Sequence, residues 1–292
     1  MRQFLRSLTV AVAALCVFAA VAVADVFVGT AGGDSLTGTA RPDQLYGEDG
    51  DDTLLGDLAN DYIEGGPGAD RVLAGPGDDL AIGGTGDDRI EGDNGEDVIY
   101  AGAGADEVLG EAGHDTIFGQ VGPDKLFGGL GDDLIYAGST GDVNPDAPPA
   151  QTSAVGDFVD GGAGRDAIVA EGDNALLLGG LGDDMIAVRN GSVTVRGGGG
   201  NDRIRTGGGL DTIEGASGAD RITSGASPDT VDGGPGRDRI DAGSGDDTID
   251  SRDGERDVVN CGTGNDRVRA DKLDKLVGCE QRDIANVQRP RR

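Results

Sequence analysis

An aspartate recurs every nine residues through most of this chain. Asp34, Asp43, Asp52, Asp61, Asp70, Asp79, Asp88, Asp97, Asp106, Asp115, Asp124, Asp133 and Asp142 keep that spacing without a break. The register resumes at Asp157 and Asp166 and runs through Asp184, Asp202, Asp211, Asp220, Asp229, Asp238 and Asp247, with Ala175 and Val193 in place of the acid. Two residues after each acid stands an aliphatic side chain, as in Leu54, Ile63, Ile90, Ile117 and Ile240, with Ala81 the weak member. Glycines lead into the acid, as in Gly83-Gly84-Thr85-Gly86-Asp87-Asp88-Arg89-Ile90-Glu91. A period of nine matches neither the 3.6-residue helix nor long alternating strands, and glycine costs a helix about 1 kcal/mol at each position.

The period suits a half-coil of a six-residue turn and a three-residue strand. Glycine supplies the turn's backbone angles, and the central strand residue points inward while its neighbours point out. Two halves make an 18-residue coil, and stacked coils bury two facing aliphatic columns. The expected fold is therefore all-β: a parallel β-roll solenoid of nonapeptide repeats with an irregular C-terminal cap. With 56 glycines, no tryptophan and 3% aromatic residues, the interior is one aliphatic residue thick per half-coil. So thin a core does not offset the ordering of nine residues by hydrocarbon burial alone, and a further source of stability is expected.

The acids point to that source. A formal charge of −30 disfavours nucleic acid and anionic membranes as partners and favours cations. In an 18-residue coil Asp70 lies above Asp52 and below Asp88, about 4.8 Å from each. Bare carboxylates that close repel, and a cation between successive turns relieves them. Turn carbonyls add the hard oxygens that calcium takes in sets of about six to eight, whereas magnesium's stricter octahedron suits such a cage poorly. The candidate ligands to multiple calcium ions are Asp52, Asp70, Asp79, Asp88, Asp97, Asp106, Asp115, Asp133, Asp166, Asp184, Asp202, Asp220, Asp229, Asp238 and Asp247. Ala175 and Val193, 18 residues apart, remove carboxylates from one edge in successive coils, while the opposite edge keeps Asp166, Asp184 and Asp202.

These segments match Gly-Gly-x-Gly-x-Asp-x-U-x, with U a large aliphatic. From about Gly29 to Arg269 the chain resembles the repeat-in-toxin (RTX), or haemolysin-type, calcium-binding repeats that form a parallel β-roll. The resemblance implies that the sixth-position aspartate and turn carbonyls coordinate calcium. That role falls on Asp52, Asp70, Asp88, Asp106 and Asp133, and on Asp238 and Asp247 in the second run. Arg41-Pro42 and Ala59-Asn60 displace turn glycines, so the sites at Asp43 and Asp61 are expected to be weak or empty. The resemblance often implies repeats joined to a protease, lipase, epimerase or pore-forming region, and no such region is expected in these 292 residues.

Residues 1–24 read as a secretion signal. Arg2 and Arg6 precede an apolar run, and Ala22-Val23-Ala24 is a small-residue cleavage pattern; a retained anchor is the alternative. The expected organisation is then a roll over 25–143, a proline-rich insertion over 144–155, a second roll over 156–250, and a cap and tail over 251–292. The insertion is a protruding loop between two rolls or within one. Cys261 and Cys279 suggest one disulfide closing the cap, with metal ligation as the rival. His114, the single histidine, fills a variable turn position and is expected to face solvent, and no catalytic constellation is found. The arginines of the tail are read as a disordered end, with contact to an anionic wall polymer as the alternative.

The expected product is a secreted, extracellular or surface-associated calcium-binding structural protein, not an enzyme, that folds when calcium neutralises its turns. No membrane span is expected beyond the leader. A calcium-dependent adhesin or matrix component bound to cell-wall polymer is the alternative, and an activity seated in the insertion is a remote third.

Overall fold

In the computed structural model, residues 24–138, 156–172 and 174–285 are described. Residues 1–23 of the leader, the whole insertion and the last seven residues of the tail lie outside them. Among the described residues, strands alternate between two 14-stranded sheets. Odd-numbered strands, from β1 (Asp25–Val28) to β27 (Lys275–Val277), form one; even-numbered strands, from β2 (Ser35–Thr37) to β28 (Gln281–Ala285), form the other. All pairings are parallel, and neighbours in a sheet are 18 residues apart over most of the chain, as in Leu45↔Ile63 and Val72↔Ile90. Each coil thus places one short strand on each side of a parallel β-roll.

The inward residue of each strand is the aliphatic one. Leu45, Leu54, Ile63, Ile90, Ile117, Leu126, Ile168 and Leu177 are all fully buried in one continuous core. Each buried side chain of this size contributes about 2 kcal/mol. A second, smaller set joins them at the first position of the repeat: Ala74, Ala101, Ala137, Ala170 and Ala242 are also buried. In the middle of the roll the strands are longer than the three residues expected. From β7 (Leu80–Thr85) to β12 (Lys125–Leu130) each has six, because pairing runs on into the turn, as in Gly84↔Gly102 and Thr85↔Ala103.

Both ladders continue across the insertion. β12 pairs with β14 (Phe158–Ala163), and β13 (Leu134–Ala137) pairs with β15 (Ala167–Ala170). Asp157 rather than Asp142 therefore follows Asp124 in its column, and Asp142 falls outside the described residues. Past Asp247 the coils lose their uniform length: Arg239 pairs with Val258, Val258 with Lys275, and Arg267 with Gln281, so the offset changes from coil to coil. In this irregular end Cys261 and Cys279 form a disulfide with a Cα–Cα distance of 5.2 Å.

Candidate metal sites

Each aspartate of the period stands where a turn enters a strand, and there it joins three coils. Its carbonyl accepts a strand amide of the next coil, as in Arg71 N to Asp52 O at 2.8 Å. Its amide donates to the carboxylate of the aspartate one coil further on: Asp52 to Asp70 Oδ1, Asp70 to Asp88 Oδ1 and Asp88 to Asp106 Oδ1, all at 2.8 Å. The opposite edge repeats this from Asp79 to Asp97 and from Asp97 to Asp115. The chain of bonds crosses the insertion, from Asp124 to Asp157 at 3.0 Å and from Asp133 to Asp166 at 2.8 Å. The carboxylates are thus fixed inside the roll, not splayed from its turns.

Asp43 near the start of the roll uses both carboxylate oxygens, its Oδ2 accepting from Thr39, but the predicted ligands use only one. The Oδ2 atoms of all fifteen predicted ligands are buried without a hydrogen-bond partner: Asp52, Asp70, Asp79, Asp88, Asp97, Asp106, Asp115, Asp133, Asp166, Asp184, Asp202, Asp220, Asp229, Asp238 and Asp247. Buried polar atoms in native proteins are normally satisfied, so a column of orphaned carboxylate oxygens marks a missing partner. The same holds for Asp61, Asp124, Asp157, Asp211, Asp257 and Asp266, which the reading of the sequence did not single out. Asp61 was discounted for its glycine-poor turn, yet Asp57 and Ala59 take the left-handed backbone there at φ of 80° and Asp61 is fully buried. The nine-residue register alone, without the glycine requirement, locates it.

Glycine at the first position makes room for the carboxylate. A Cβ on Gly47 would fall 2.5 Å from the Gly65 carbonyl oxygen and closer still to Asp52 Oδ2; one on Gly110 would fall 2.5 Å from both Asp115 Oδ2 and the Gly128 oxygen. Carboxylate and main-chain oxygens of successive coils therefore crowd the same side of the glycine. At two second-run sites a hydroxyl replaces the glycine. Thr206 and Ser224 lie beside Asp211 and Asp229, donate to the carbonyls of Ser224 and Ala242 at 2.7 and 2.9 Å, and partly offset the rise that burial imposes on the two carboxyls.

The electrostatics follow from burial. Loss of water raises the carboxyl of Asp79 to about 8 and those of Asp88, Asp97, Asp166 and Asp238 to about 7, from 3.8. The amide hydrogen bond opposes this rise, and neighbouring aspartates of the column add to it. Asp70, Asp106, Asp115, Asp184 and Asp220 rise to about 6 for the same leading reason. Burial thus disfavours the ionised form of these groups unless a cation accompanies it.

The donors on offer are carboxylate and carbonyl oxygens, the hard set that suits calcium. Among the described residues no group of three or more His, Cys, Asp and Glu side chains is placed to hold a metal by itself. A cation between stacked aspartates would therefore need main-chain oxygens or water to complete its shell. Where the column is interrupted, the surroundings change with it. Ala175 and Val193 are matched by Ala170 and Val188 five residues earlier, and all four are buried in the apolar core. Asp211 still caps the amide of Val193 at 3.1 Å, but an apolar plug takes the place of the carboxylate.

A second row, unforeseen from the sequence, runs along the exposed fifth position. Asp51 Oδ1 accepts from Ala69 N at 3.0 Å, Asp87 Oδ1 from Ala105 N at 2.9 Å and Asp183 Oδ1 from Asn201 N at 2.7 Å. His114 is exposed as expected, yet it belongs to this row: its Nδ1 accepts from Asp132 N at 2.8 Å. The signal was the preference for Asp, Asn, Ser or His immediately before the periodic aspartate. Among the described residues no helix is long and apolar enough to cross a membrane.

Comparison with known families bears on these columns directly. The profile of the RTX calcium-binding nonapeptide repeat (4 copies) matches residues 28–63, 52–81, 73–108, 82–117, 109–143, 153–186, 178–213, 190–222, 214–249 and 223–258. These segments take in well over half of the chain. No curated protein matches it.

Proposed function

Because the chain belongs to the RTX calcium-binding nonapeptide repeat family, a non-catalytic structural repeat, we propose that it is a secreted structural protein whose roll binds a series of calcium ions and folds upon binding them. One observation carries this reading: every described aspartate in the predicted set is held by an amide through Oδ1 while its buried Oδ2 has no partner. Leaving a buried acceptor unsatisfied costs about 1 to 3 kcal/mol, and more for a charged group. Repeated along two columns, that cost is large beside the stability of a domain. A divalent cation between successive carboxylates removes both the unsatisfied oxygen and the mutual repulsion. Because it binds only the ordered coils, its binding free energy adds to folding.

The ligands in this reading are the fifteen predicted aspartates with main-chain oxygens of the same turns; Asp61, Asp124, Asp157 and Asp211 extend the set. The apolar plug at Ala175 and Val193 removes sites from one edge only. Export rests on the leader in residues 1–24, and it places the protein where calcium is abundant.

A calcium titration followed by far-UV circular dichroism, with magnesium as control, tests the proposal. Strand signal should rise with calcium, stay low with equal magnesium, and collapse on chelation. The same folded signal in chelator and in millimolar calcium would show that the coils close without an ion.

A further inference from the structure

The first coil answers its aspartates with groups of its own. Asp43 is, among the described residues, the one buried aspartate of the nine-residue period with both carboxylate oxygens satisfied. Its Oδ2 accepts from Thr39 N at 2.6 Å and from Thr39 Oγ1 at 2.9 Å, and its Oδ1 accepts from Asp25 N at 3.2 Å. On the other edge Asp34 Oδ2 accepts from Thr30 N at 2.5 Å and from Thr30 Oγ1 at 2.8 Å. Asp25, at the head of the Asp43 column, is paired with Arg41 at 2.5 Å. A threonine amide and hydroxyl thus engage the oxygen that stands orphaned in Asp52, Asp61 and the aspartates beyond.

The backbone explains why these two turns differ. The residue four places before each described periodic aspartate has a positive φ from Glu48, at 74°, through to Gly198, at 112°, and Asp57, Asp93, Glu111 and Gln120 adopt it as well as the glycines. Thr30 and Thr39 hold the same place and are not left-handed. A β-branched side chain is all but excluded from that region. Kept out of it, each threonine brings its amide and hydroxyl together onto the carboxylate four residues on. Among the described residues β1 and β2 end the two sheets, so this is the terminal coil, and the end repeats of a solenoid depart from the pattern in order to cap it.

We propose that a threonine four residues before the periodic aspartate makes a turn ion-free, and that Thr30 and Thr39 cap the two columns so that the calcium series begins at Asp52 and Asp61. This rests on the reading of the columns as calcium sites and assigns the turns that stay outside them. Glycine content does not make the distinction: the turn before Asp34 keeps Gly29, Gly32 and Gly33, yet Thr30 closes it. Arg41, where the pattern has glycine, belongs to the cap through Asp25. The capped coil is ordered by pairing with the ion-holding coils below it, as β1 with β3 (Asp43–Tyr46), and unfolds with them when calcium is removed.

Counting bound calcium by native mass spectrometry of the calcium-loaded chain tests this inference. D34N/D43N should bind as many ions as the parent, whereas D70N/D79N should lose about two. Moving the threonine should move the effect. E111T/Q120T, in the turns before Asp115 and Asp124, should bind about two ions fewer than the parent, while E111N/Q120N should keep the parent's count because asparagine tolerates positive φ. Circular dichroism checks each fold, and D34N/D43N decides the matter if E111T/Q120T does not fold. A loss of ions in D34N/D43N equal to that in D70N/D79N overturns the proposal, as does the parent's count in a folded E111T/Q120T. A parent that binds no calcium, or the parent's count in D70N/D79N, overturns the reading of the columns and this inference with it.

Discussion

The stretches before and after the insertion share one interior and differ in almost everything outside it. Residues 24–138 hold 26 acidic and 4 basic residues, whereas residues 156–285 hold 26 acidic and 15 basic. All four tyrosines lie in the first stretch, where Tyr100 and Tyr136 flank Phe118 in a stack. The second stretch has arginines and threonines on its outer faces, the apolar plug at Ala175 and Val193, and the disulfide. Yet Leu54 and Ile249 are equally buried, and Asp88 and Asp238 have the same amide partners and the same orphaned oxygen. The inner columns set the fold, and the outer faces are free to vary. The first stretch has little besides an ion to answer its charge; the second has its own cations, a plug and a crosslink.

Calcium removal should therefore separate the two stretches, and this is the largest effect expected. In chelator at pH 8, hydrogen exchange should become fast across residues 25–138 while amides around the plug, near Ile168, Ile186 and Val195, retain partial protection. Uniform loss across both would mean that the plug and the surface arginines contribute nothing to local stability.

Acid should act in the opposite sense to its usual one. In the metal-free chain Asp79, Asp88 and Asp97 titrate near 8, 7 and 7 when folded and near 3.8 when unfolded. Between those values the folded state holds more protons, so stability falls as pH rises from about 4 to 8. The metal-free chain should show more strand signal at pH 4.5 than at pH 8. With calcium present the order should reverse, because protons compete for the same oxygens. A metal-free signal that grows toward pH 8 would contradict the burial of these carboxylates.

Core truncation should reveal the same contrast in smaller form. Ile99→Ala in the first stretch and Ile204→Ala in the second each remove a buried side chain, at a cost of about 2 to 5 kcal/mol. The loss at position 99 should cost more calcium, read as a shift of the folding midpoint to higher concentration. Cys261→Ser with Cys279→Ser opens an 18-residue link worth about 3 kcal/mol. It should lower the melting temperature of the second stretch and leave exchange near Ile90 unchanged.

The fold was legible because a nine-residue period with an aliphatic at a fixed offset permits few solutions, and Leu45, Ile90 and Ile204 all point where that offset places them. Strand length was not, since six-residue strands depend on pairing inside the turns, as between Gly84 and Gly102, which no residue type announces. The fifteen predicted aspartates all stand in the two columns with an unpartnered Oδ2, and Asp61, expected to be a weak or empty site for want of turn glycines, stands there as well because Ala59 adopts the left-handed backbone. The unbroken spacing of nine runs on to Asp142, and only the three-dimensional register makes Asp157 the neighbour of Asp124. Ala175 and Val193 were read as losses; that Ala170 and Val188 fill the resulting space is a matter of packing between positions that are not adjacent in the repeat.

The central claim is that the orphaned oxygens of the inner columns hold calcium. A crystal structure grown with calcium, with anomalous scattering recorded to locate the ions, tests it most directly. The account predicts anomalous peaks within bonding distance of Oδ2 atoms such as those of Asp70, Asp88 and Asp106, and none beside Ala175 or Val193. Peaks confined to exposed acids such as Asp51 and Asp87, with the inner carboxylates still unpartnered, would contradict it.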